Sequence, residues 1–244
     1  TKASLETLSK NKIKWIRSLA LKKNREKEAL FIIEGEKMVE EIIQLYPDRI
    51  EFVISNDESF DKFDTVFFAN DRDFKQISSF KTPNKLIAIV KITENKSITS
   101  KGLVLMLDGI QDPGNMGTIL RSADWFDVKS IICSKTCVDI YNPKVIQASM
   151  GAIFRMNVKY EVLTDFIKET KLPVYGALLR GENVYTTSLK PSAILILGNE
   201  GNGISDEVQQ LIDHPIHIPR FGKSESLNVA VATGILLSEF GRIQ

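Results

Sequence analysis

The segment at residues 103–121, LVLMLDGIQDPGNMGTILR, constrains this chain more than any other part. Its apolar start, Leu103–Leu107, predicts a buried strand. A turn containing Gly109, Pro113 and Gly114 follows, and a helix is predicted to begin at Asn115. Strand, glycine-rich turn and helix in this order often form a small-molecule site, because the free N–H groups at a helix start can bind a ligand.

The predicted helix carries an arginine at a notable position. Gly117 and Arg121 lie four residues apart and therefore share one face. We expect Arg121 to be buried, although its guanidinium is permanently charged and has five donors to satisfy. Gly117 has no side chain, so another backbone or a ligand can approach that face. The chain thus predicts a functional arginine, with an ion pair to Asp108 or Glu200 as the structural alternative.

Two later segments repeat the design of strand and polar, glycine-rich loop: SAILILGNEGNGIS at 192–205 and IHIPRFGKSESLNVAVATG at 216–234. Neither has the G-x-G-x-x-G spacing of a dinucleotide-binding turn. A phosphate-binding P-loop ending at Gly222-Lys223-Ser224 would need a glycine where His217 stands. The spacing therefore argues against hydride transfer and nucleotide hydrolysis. A tight turn needs one or two glycines, whereas three at 198–203 favour a backbone wrapped around a ligand. A Cβ at Gly198 is therefore expected to occupy the space of that ligand.

Together and in this order, the three segments resemble the motifs of the SpoU (TrmH-type) RNA ribose 2′-O-methyltransferases over residues 103–243. The matching residues are Asn115, Gly117 and Arg121; Gly198, Asn199, Glu200, Gly201 and Gly203; Ile218, Pro219, Ser226, Leu227 and Asn228; and the linking segments 142–144 and 149–155. One departure is Asp127, which stands where the family usually has glycine after the first helix. Aspartate tolerates a left-handed cap better than most residues, so we expect that conformation here.

The alternation of apolar strands and helices after Leu103 predicts an α/β domain with a parallel sheet and helices on both faces. The resemblance further implies a C-terminal segment threaded as a deep trefoil knot (a SPOUT-type fold), an exception to the rule that chains avoid knots. It also implies a homodimer. Trp125 and Phe126 could line its interface, and packing in the core is the alternative for both.

The resemblance implies a methyltransferase that uses S-adenosyl-L-methionine. Its cofactor-binding residues would be Gly198, Asn199, Glu200, Gly201, Ile218, Pro219 and Leu227, acting largely through backbone groups. Its catalytic residues would be Arg121, Asn115, Glu200, Ser226 and Asn228. Because an arginine rarely gives up its proton, we expect Arg121 to orient the target phosphate and polarise the hydroxyl. A bound phosphate or Glu200 would accept the proton, and Asn115, Ser226 and Asn228 would fix Arg121 and the substrate.

The N-terminal part predicts a separate domain. After an apolar stripe of helical spacing (Leu5, Leu8, Ile13, Ile16, Leu19), strands and helices alternate up to residue 92. Its sequence LFIIEGEK at 30–37 resembles, more loosely, the substrate-binding domain of many SpoU enzymes. Residues 93–102 are polar and without periodicity, and are predicted to be a linker. The predicted domains are therefore 1–92, the linker 93–102, and a catalytic domain at 103–244.

Charge is distributed unevenly along the chain. Residues 1–27 contain nine Lys or Arg residues and two Glu, a net charge of +7, while the whole chain has +1. A basic segment on a near-neutral protein indicates phosphate contact, whereas a solvated helix face is the alternative. Combined with the resemblance, this predicts an RNA partner, ribosomal RNA before transfer RNA. Two other functions are weighed against this one. A catalytically silent RNA-binding protein would be favoured by loss of Arg121, Glu200 or Asn228, and all three are present. A relative that methylates a base nitrogen carries differently built motifs, so the motifs here favour the ribose.

The remaining features predict no membrane segment, signal peptide or metal. No apolar run reaches the roughly 18 residues of a membrane helix. Cys133 and Cys137 fit a reducing cytoplasm and are expected to be buried apolar residues. His214 and His217 have the spacing His-x-x-His, but no Cys or acid clusters with them, so a metal site is not predicted.

Overall fold

A computed structural model describes residues 6–94, 97–98 and 101–243, which fall into two compact units. The first unit comprises 1–94 and 141–147, and the second comprises 95–140 and 148–244. The division after residue 94 lies inside the predicted linker. One segment differs from the predicted boundaries, because residues 141–147 cluster with the first unit. There the Tyr141 ring packs 4.6 Å from that of Phe31, a contact between residues far apart in the chain that no local pattern indicates.

The first unit is built on a mixed sheet of five strands in the order β1-β4-β3-β5-β2. Its elements are β1 (Glu6–Thr7), α1 (Lys10–Ser18), α2 (Lys22–Glu28), β2 (Leu30–Glu34), α3 (Glu36–Leu45), a 3-10 helix (Pro47–Arg49), β3 (Ile50–Ser55), β4 (Val66–Phe68), α4 (Asp71–Ile77) and β5 (Leu86–Lys91). The alternation of strands and helices expected up to residue 92 is therefore present.

The predicted apolar stripe at the N-terminus is buried, but one continuous helix does not carry it. Leu8, Ile13, Ile16 and Leu19 all lie in the core cluster of the first unit, and Leu5 lies outside the described residues. Leu8 follows the short strand β1, and Leu19 ends α1. Arg25 on α2 then donates from Nη1 to the carbonyl oxygens of Leu19 and Ala20, at 2.9 and 2.7 Å. This buried guanidinium satisfies the carboxyl end of α1.

The second unit contains a six-stranded, all-parallel sheet in the order β11-β9-β10-β6-β7-β8. The elements that follow β5 along the chain are β6 (Leu103–Asp108), α5 (Pro113–Trp125), β7 (Ser130–Cys133), α6 (Pro143–Ser149), a 3-10 helix (Ala152–Phe154), β8 (Asn157–Tyr160), α7 (Leu163–Glu169), β9 (Val174–Asn183), β10 (Ala193–Gly198), α8 (Asp206–Gln209), β11 (His214–His217) and α9 (Val229–Gly241). Most of α6 falls in the segment 141–147 that clusters with the first unit. Strand β8 was not predicted.

Helices cover both faces of this sheet. Val174 of β9 lies in a core cluster with residues of α7 and α8, such as Ile167 and Val208. The next residue, Tyr175, packs edge-on against Phe240 of α9, with ring centroids 5.3 Å apart. Because successive side chains of a strand point to opposite faces, α9 covers the other face. The predicted α/β fold is confirmed, and a trefoil knot is consistent with it.

Part of the predicted linker is packed on the second unit. Residues 95, 96, 99 and 100 lie outside the described residues. Between them, Ile98 packs against the core cluster under the sheet, and Asn157 Nδ2 donates to the Ser97 carbonyl oxygen at 3.3 Å. Ser97 and Ile98 therefore belong to the second unit. A truncated chain that is meant to contain this unit has to begin before residue 97.

Candidate active site

The helix of the first motif begins two residues earlier than the sequence predicted. Asp112 is its N-cap, with Oδ1 accepting from the Asn115 backbone N–H at 2.7 Å, and Pro113 occupies the first helical position. Both residue types favour those positions, so the pattern Asp-Pro could have located the start. Asn115 consequently lies in the first turn of α5, where its side chain faces the loops that follow β10 and β11.

One chain of side-chain hydrogen bonds joins the three motifs. Asn228 Nδ2 donates to Asn115 Oδ1 at 3.0 Å, and Asn115 Nδ2 donates to Glu200 Oε1 at 2.7 Å. Asn228, the N-cap of α9, determines which groups donate and which accept in these hydrogen bonds. Its Oδ1 accepts the backbone N–H groups of Ala230 and Val231, at 2.9 and 3.2 Å, so only its amino group can face Asn115. The helix start thereby fixes both amides, and the carboxylate of Glu200 accepts at the end.

The loop of the second motif is folded on itself. Asn199 and Gly203 exchange two backbone hydrogen bonds of 2.9 Å, and Asn199 Oδ1 accepts from the N–H groups of Gly201 and Asn202, at 2.8 and 3.1 Å. Asn199 Nδ2 donates to the Gly109 carbonyl oxygen at 2.7 Å, which ties this loop to the turn after β6. The side chain of Asn199, a predicted cofactor residue, therefore stabilises the conformation of the loop.

Gly198 is required by this loop for a different reason than expected. The sequence argument was that a Cβ at Gly198 would occupy the space of a ligand. In the structure, that Cβ would lie 2.2 Å from the backbone C of Gly203 and N of Ile204. A side chain would therefore collide with the returning strand of the loop itself, so the ligand-space argument was wrong.

Arg121 is exposed, and the prediction that it is buried was wrong. Helix α5 buries Met116, Ile119, Leu120 and Ala123, whose spacing defines one face. Arg121 lies on the outward face with Trp125, which is 84% exposed. Within the described part of the chain, Arg121 forms no hydrogen bond or ion pair. The expected bonds from Asn115, Ser226 and Asn228 to Arg121 are thus not formed, and neither is the alternative ion pair with Asp108 or Glu200.

Two carboxylates brace the site through contacts that no local sequence pattern indicates. Asp108 Oδ2, at the end of β6, accepts from the N–H and Oγ of Ser205, at 2.8 and 2.7 Å. Asp124 on α5 accepts from Arg155 Nε at 2.9 Å and pairs with its Nη2 at 2.8 Å. Such a fork fixes geometry as well as charge, so Arg155 positions α5. The pairing of residues 31 apart in the chain gives no local signal.

At the carboxyl end of α5, Asp127 has a φ of 57°, the left-handed conformation expected where the family usually has glycine. The backbone N–H of Val128 then donates to the Ala123 carbonyl oxygen at 2.8 Å, which closes the helix. The departure from the family motif is therefore accommodated without a change in the path of the chain.

The two cysteines lie beside the turn after β6, and both are buried, as predicted. Cys137 Sγ donates to the Leu107 carbonyl oxygen at 3.3 Å. A hydrogen bond from Cys133 lowers the pKa of Cys137 to about 7, and the same contact together with burial raises the pKa of Cys133. Ser134 Oγ, 3.5 Å from Cys137 Sγ, accepts the N–H of Gly109 at 2.9 Å. This cluster supports the turn.

The histidines take part in protein contacts. His214 stacks on Tyr175 with ring centroids 4.8 Å apart, and His217 Nδ1 lies 2.9 Å from the Gly181 carbonyl oxygen. In the described ranges, no group of three or more His, Cys, Asp or Glu residues could hold a metal ion. None of the helices described is long and apolar enough to span a membrane.

The residues of the third motif surround an open, polar loop between β11 and α9. Ile218 and Pro219 are half-buried, and residues 220–228 are exposed. Ser226 accepts at its carbonyl oxygen from Ser224 Oγ, at 3.1 Å. The backbone groups of Ile218 and Leu227 form no hydrogen bond with the rest of the described chain. They are available to a ligand that presents its own donors and acceptors.

Comparison with known proteins identifies relatives of both parts of the chain. The model of the SpoU rRNA Methylase family matches residues 102–238, and that of the MRM3-like substrate binding domain matches residues 10–88. The 23S rRNA (guanosine(2553)-2′-O)-methyltransferase RlmP of Bacillus subtilis is 31% identical over 242 residues, covering 96% of this chain and 97% of the relative.

Solved structures of related proteins are similar to this chain over the length of both units. A Porphyromonas gingivalis protein assigned to the TrmH family of RNA methyltransferases is 40% identical with a TM-score of 0.87, covering 98% of this chain and 100% of that one. An AdoMet-bound rRNA methyltransferase from Sinorhizobium meliloti is 26% identical with a TM-score of 0.86, covering 99% and 98%. This chain belongs to the SpoU rRNA methylase family.

Proposed function

We propose that this protein transfers a methyl group from S-adenosyl-L-methionine to a ribose 2′-hydroxyl in ribosomal RNA. The observation that carries the proposal is the hydrogen-bond chain Asn228–Asn115–Glu200, which joins one residue from each of the three family motifs. Relatives named for 23S ribosomal RNA and for guanosine support the substrate class, and make a guanosine of that RNA the first target to test.

The site fits the cofactor by its free backbone groups. Ile218 and Leu227 offer unpaired N–H and carbonyl groups on either side of an exposed loop, and the Leu227 side chain is 49% exposed. Together with Gly198, Asn199, Glu200, Gly201 and Pro219, they would hold a ligand that has polar edges and an apolar ring. When bound, S-adenosyl-L-methionine supplies a methyl group on a sulfonium for in-line displacement.

The protein's part in this reaction is to hold the hydroxyl in line and to help it lose its proton. Arg121, exposed and unpaired in the described structure, is available to bind the phosphate of the target nucleotide through its planar fork. Asn115 and Asn228 act on Glu200 rather than on Arg121, because their amides hold its carboxylate in place. Glu200, or a bound phosphate, then accepts the proton.

The first unit grips the RNA in this proposal. Lys10, Lys14, Arg17 and Lys23 are exposed on α1 and α2 and have no ion-pair partner among the residues described. Arg25 is excluded from this surface, because it is 3% exposed and satisfies α1. We assign residues 1–92 to RNA binding and 103–244 to catalysis, with 93–102 as the linker, whose residues 97 and 98 pack on the second unit.

The protein works as a homodimer in the cytoplasm in this proposal. The outward face of α5 supports a dimer, since Trp125 is 84% exposed there and an apolar ring of that size is common at interfaces. Phe126 is partly covered by α9 instead, with a ring carbon 3.4 Å from where a Cβ on Gly241 would lie. Two free cysteines fit a reducing compartment.

The test is methylation in vitro followed by mass mapping of nucleosides. The purified protein, S-adenosyl-L-methionine and unmodified 23S, 16S or transfer RNA transcripts should yield a 2′-O-methylated nucleoside in ribosomal RNA. Product in transfer RNA alone would move the substrate class, and a methyl group on a base would refute ribose transfer. Calorimetry should show one S-adenosylhomocysteine site per chain, and no binding by the intact protein would end the enzyme hypothesis.

A further inference from the structure

We propose that Phe221 stacks on an unpaired base of the RNA substrate beside the ribose that is methylated. This inference rests on the proposed function and adds to it a residue that selects the structural state of the RNA. The Phe221 ring is 94% exposed, more than any other large hydrophobic side chain in the described part of the chain. It makes no aromatic contact with another described residue.

Phe221 belongs to the loop between β11 and α9, and the C-terminal end of this loop is tied to the candidate active site. The loop leaves the sheet after His217, which pairs with Asn183 of β9. It ends at Asn228, whose side chain donates to Asn115 in the chain that reaches Glu200. The loop that carries Phe221 is therefore connected through Asn228 to the residues proposed to act on the ribose.

The loop is braced from within, so that its tip is displayed. Arg220 Nη1 donates to the Ser224 carbonyl oxygen at 3.2 Å, and Ser224 Oγ donates to the Ser226 carbonyl oxygen at 3.1 Å. Phe221, Gly222 and Lys223 lie between the braced residues, and all three are exposed. The ring therefore contributes little burial to folding and is accessible to a ligand.

The surroundings of the ring favour a nucleotide over an apolar partner. Arg220 and Lys223 flank Phe221 and can meet phosphates, while Gly222 leaves room for a flat group to approach. Aromatic side chains stack on bases that are splayed out of a helix, and bases inside a duplex offer no free face. We infer that the loop binds a base in an unpaired segment of the RNA, in any sequence context, because every base has a stacking face.

Two substitutions separate stacking from simple apolar contact. Phe221→Leu keeps a large apolar side chain but removes the aromatic face, whereas Phe221→Trp keeps it. Loss of one stacked base typically weakens binding by about 5- to 150-fold. We expect Phe221→Leu to raise both the Kd for a 23S rRNA transcript and the KM by a factor near the lower end of this range, because leucine keeps apolar contact that alanine would lose. The kcat should change little, because stacking is present in ground and transition states alike. Phe221→Trp should remain close to wild type.

Direct RNA binding, S-adenosylhomocysteine calorimetry and sedimentation of each variant make the outcomes distinct. Wild-type RNA affinity in Phe221→Leu would overturn the inference. A loss shared equally by Phe221→Leu and Phe221→Trp would also overturn it, since aromatic character would not matter. A dimer that dissociates in Phe221→Leu would show that a second copy of the chain covers the ring. Because RNA binding needs no methyl transfer, a wild-type protein that binds RNA but methylates none would refute the proposed function and leave this comparison decisive.

Discussion

Replacing Asn228 with aspartate should reduce methyl transfer without destabilising the fold. Asn228 Oδ1 caps α9, and its Nδ2 donates to Asn115 Oδ1 at 3.0 Å. Aspartate caps a helix as well as asparagine does, but it presents an oxygen to Asn115 instead of an amino group. Asn115 can restore that bond only by turning its amide, which places its carbonyl oxygen against Glu200. One link of the chain must break in either arrangement.

The magnitude follows from the bond that is lost. A hydrogen bond to a charged acceptor contributes about 1.5–3 kcal/mol, and the exposure of this site favours the lower end. About 1.4 kcal/mol corresponds to a tenfold change in rate, so we expect kcat to fall about tenfold in Asn228→Asp. Because the cap is kept, the melting temperature should stay within about 1 °C of wild type.

Asn228→Ala is the matched control, since it removes both the cap and the link. Loss of the cap costs about 1 kcal/mol, which for a chain of this size lowers the melting temperature by about 2–4 °C. Single-turnover rates and melting curves for the two variants decide the question. If Asn228→Asp were fully active, Glu200 would not need the amide chain. If the melting temperature of Asn228→Asp were as low as that of Asn228→Ala, the cap of α9 would not be what fixes the hydrogen bonds from Asn228 through Asn115 to Glu200.

Three further predictions concern the other parts of the site. Arg121→Lys and Arg121→Ala should both lose rate by about a hundredfold or more while melting normally, because the fork matters more than the charge; an active Arg121→Ala enzyme would refute the assignment. Gly198→Ala should abolish S-adenosylhomocysteine binding and cost about 1–3 kcal/mol of stability, measured by calorimetry and melting, whereas Gly201→Ala should melt normally. A chain starting at residue 93 should keep cofactor affinity but lose salt-sensitive RNA binding; RNA affinity that survives would contradict the role of the first unit.

Local patterns located most elements of the fold. The strand predicted at Leu103–Leu107 spans Leu103–Asp108 in the structure, and the predicted alternation of strands and helices is present before residue 92 and after Leu103. Apolar runs and helical spacing suffice there, since each element buries its own pattern. Strand β8, NVKY, was not predicted because it is short, lies at the edge of the sheet and is only partly buried. The helix start at Pro113 was misplaced because its cap was not recognised.

The sequence by itself determined the family, the order of the motifs and the residue types at the site, because these depend on spacing along the chain. Tertiary structure decided which of those residues meet. Asn115 and Glu200 are 85 positions apart, and Asn115 and Asn228 are 113 apart, yet hydrogen bonds join them. Tertiary structure also placed Arg121 on the exposed face of α5, and it requires glycine at 198 because the loop returns close to that position. Such outcomes depend on which face of a helix packs and where a loop returns, and contacts distant in sequence fix both.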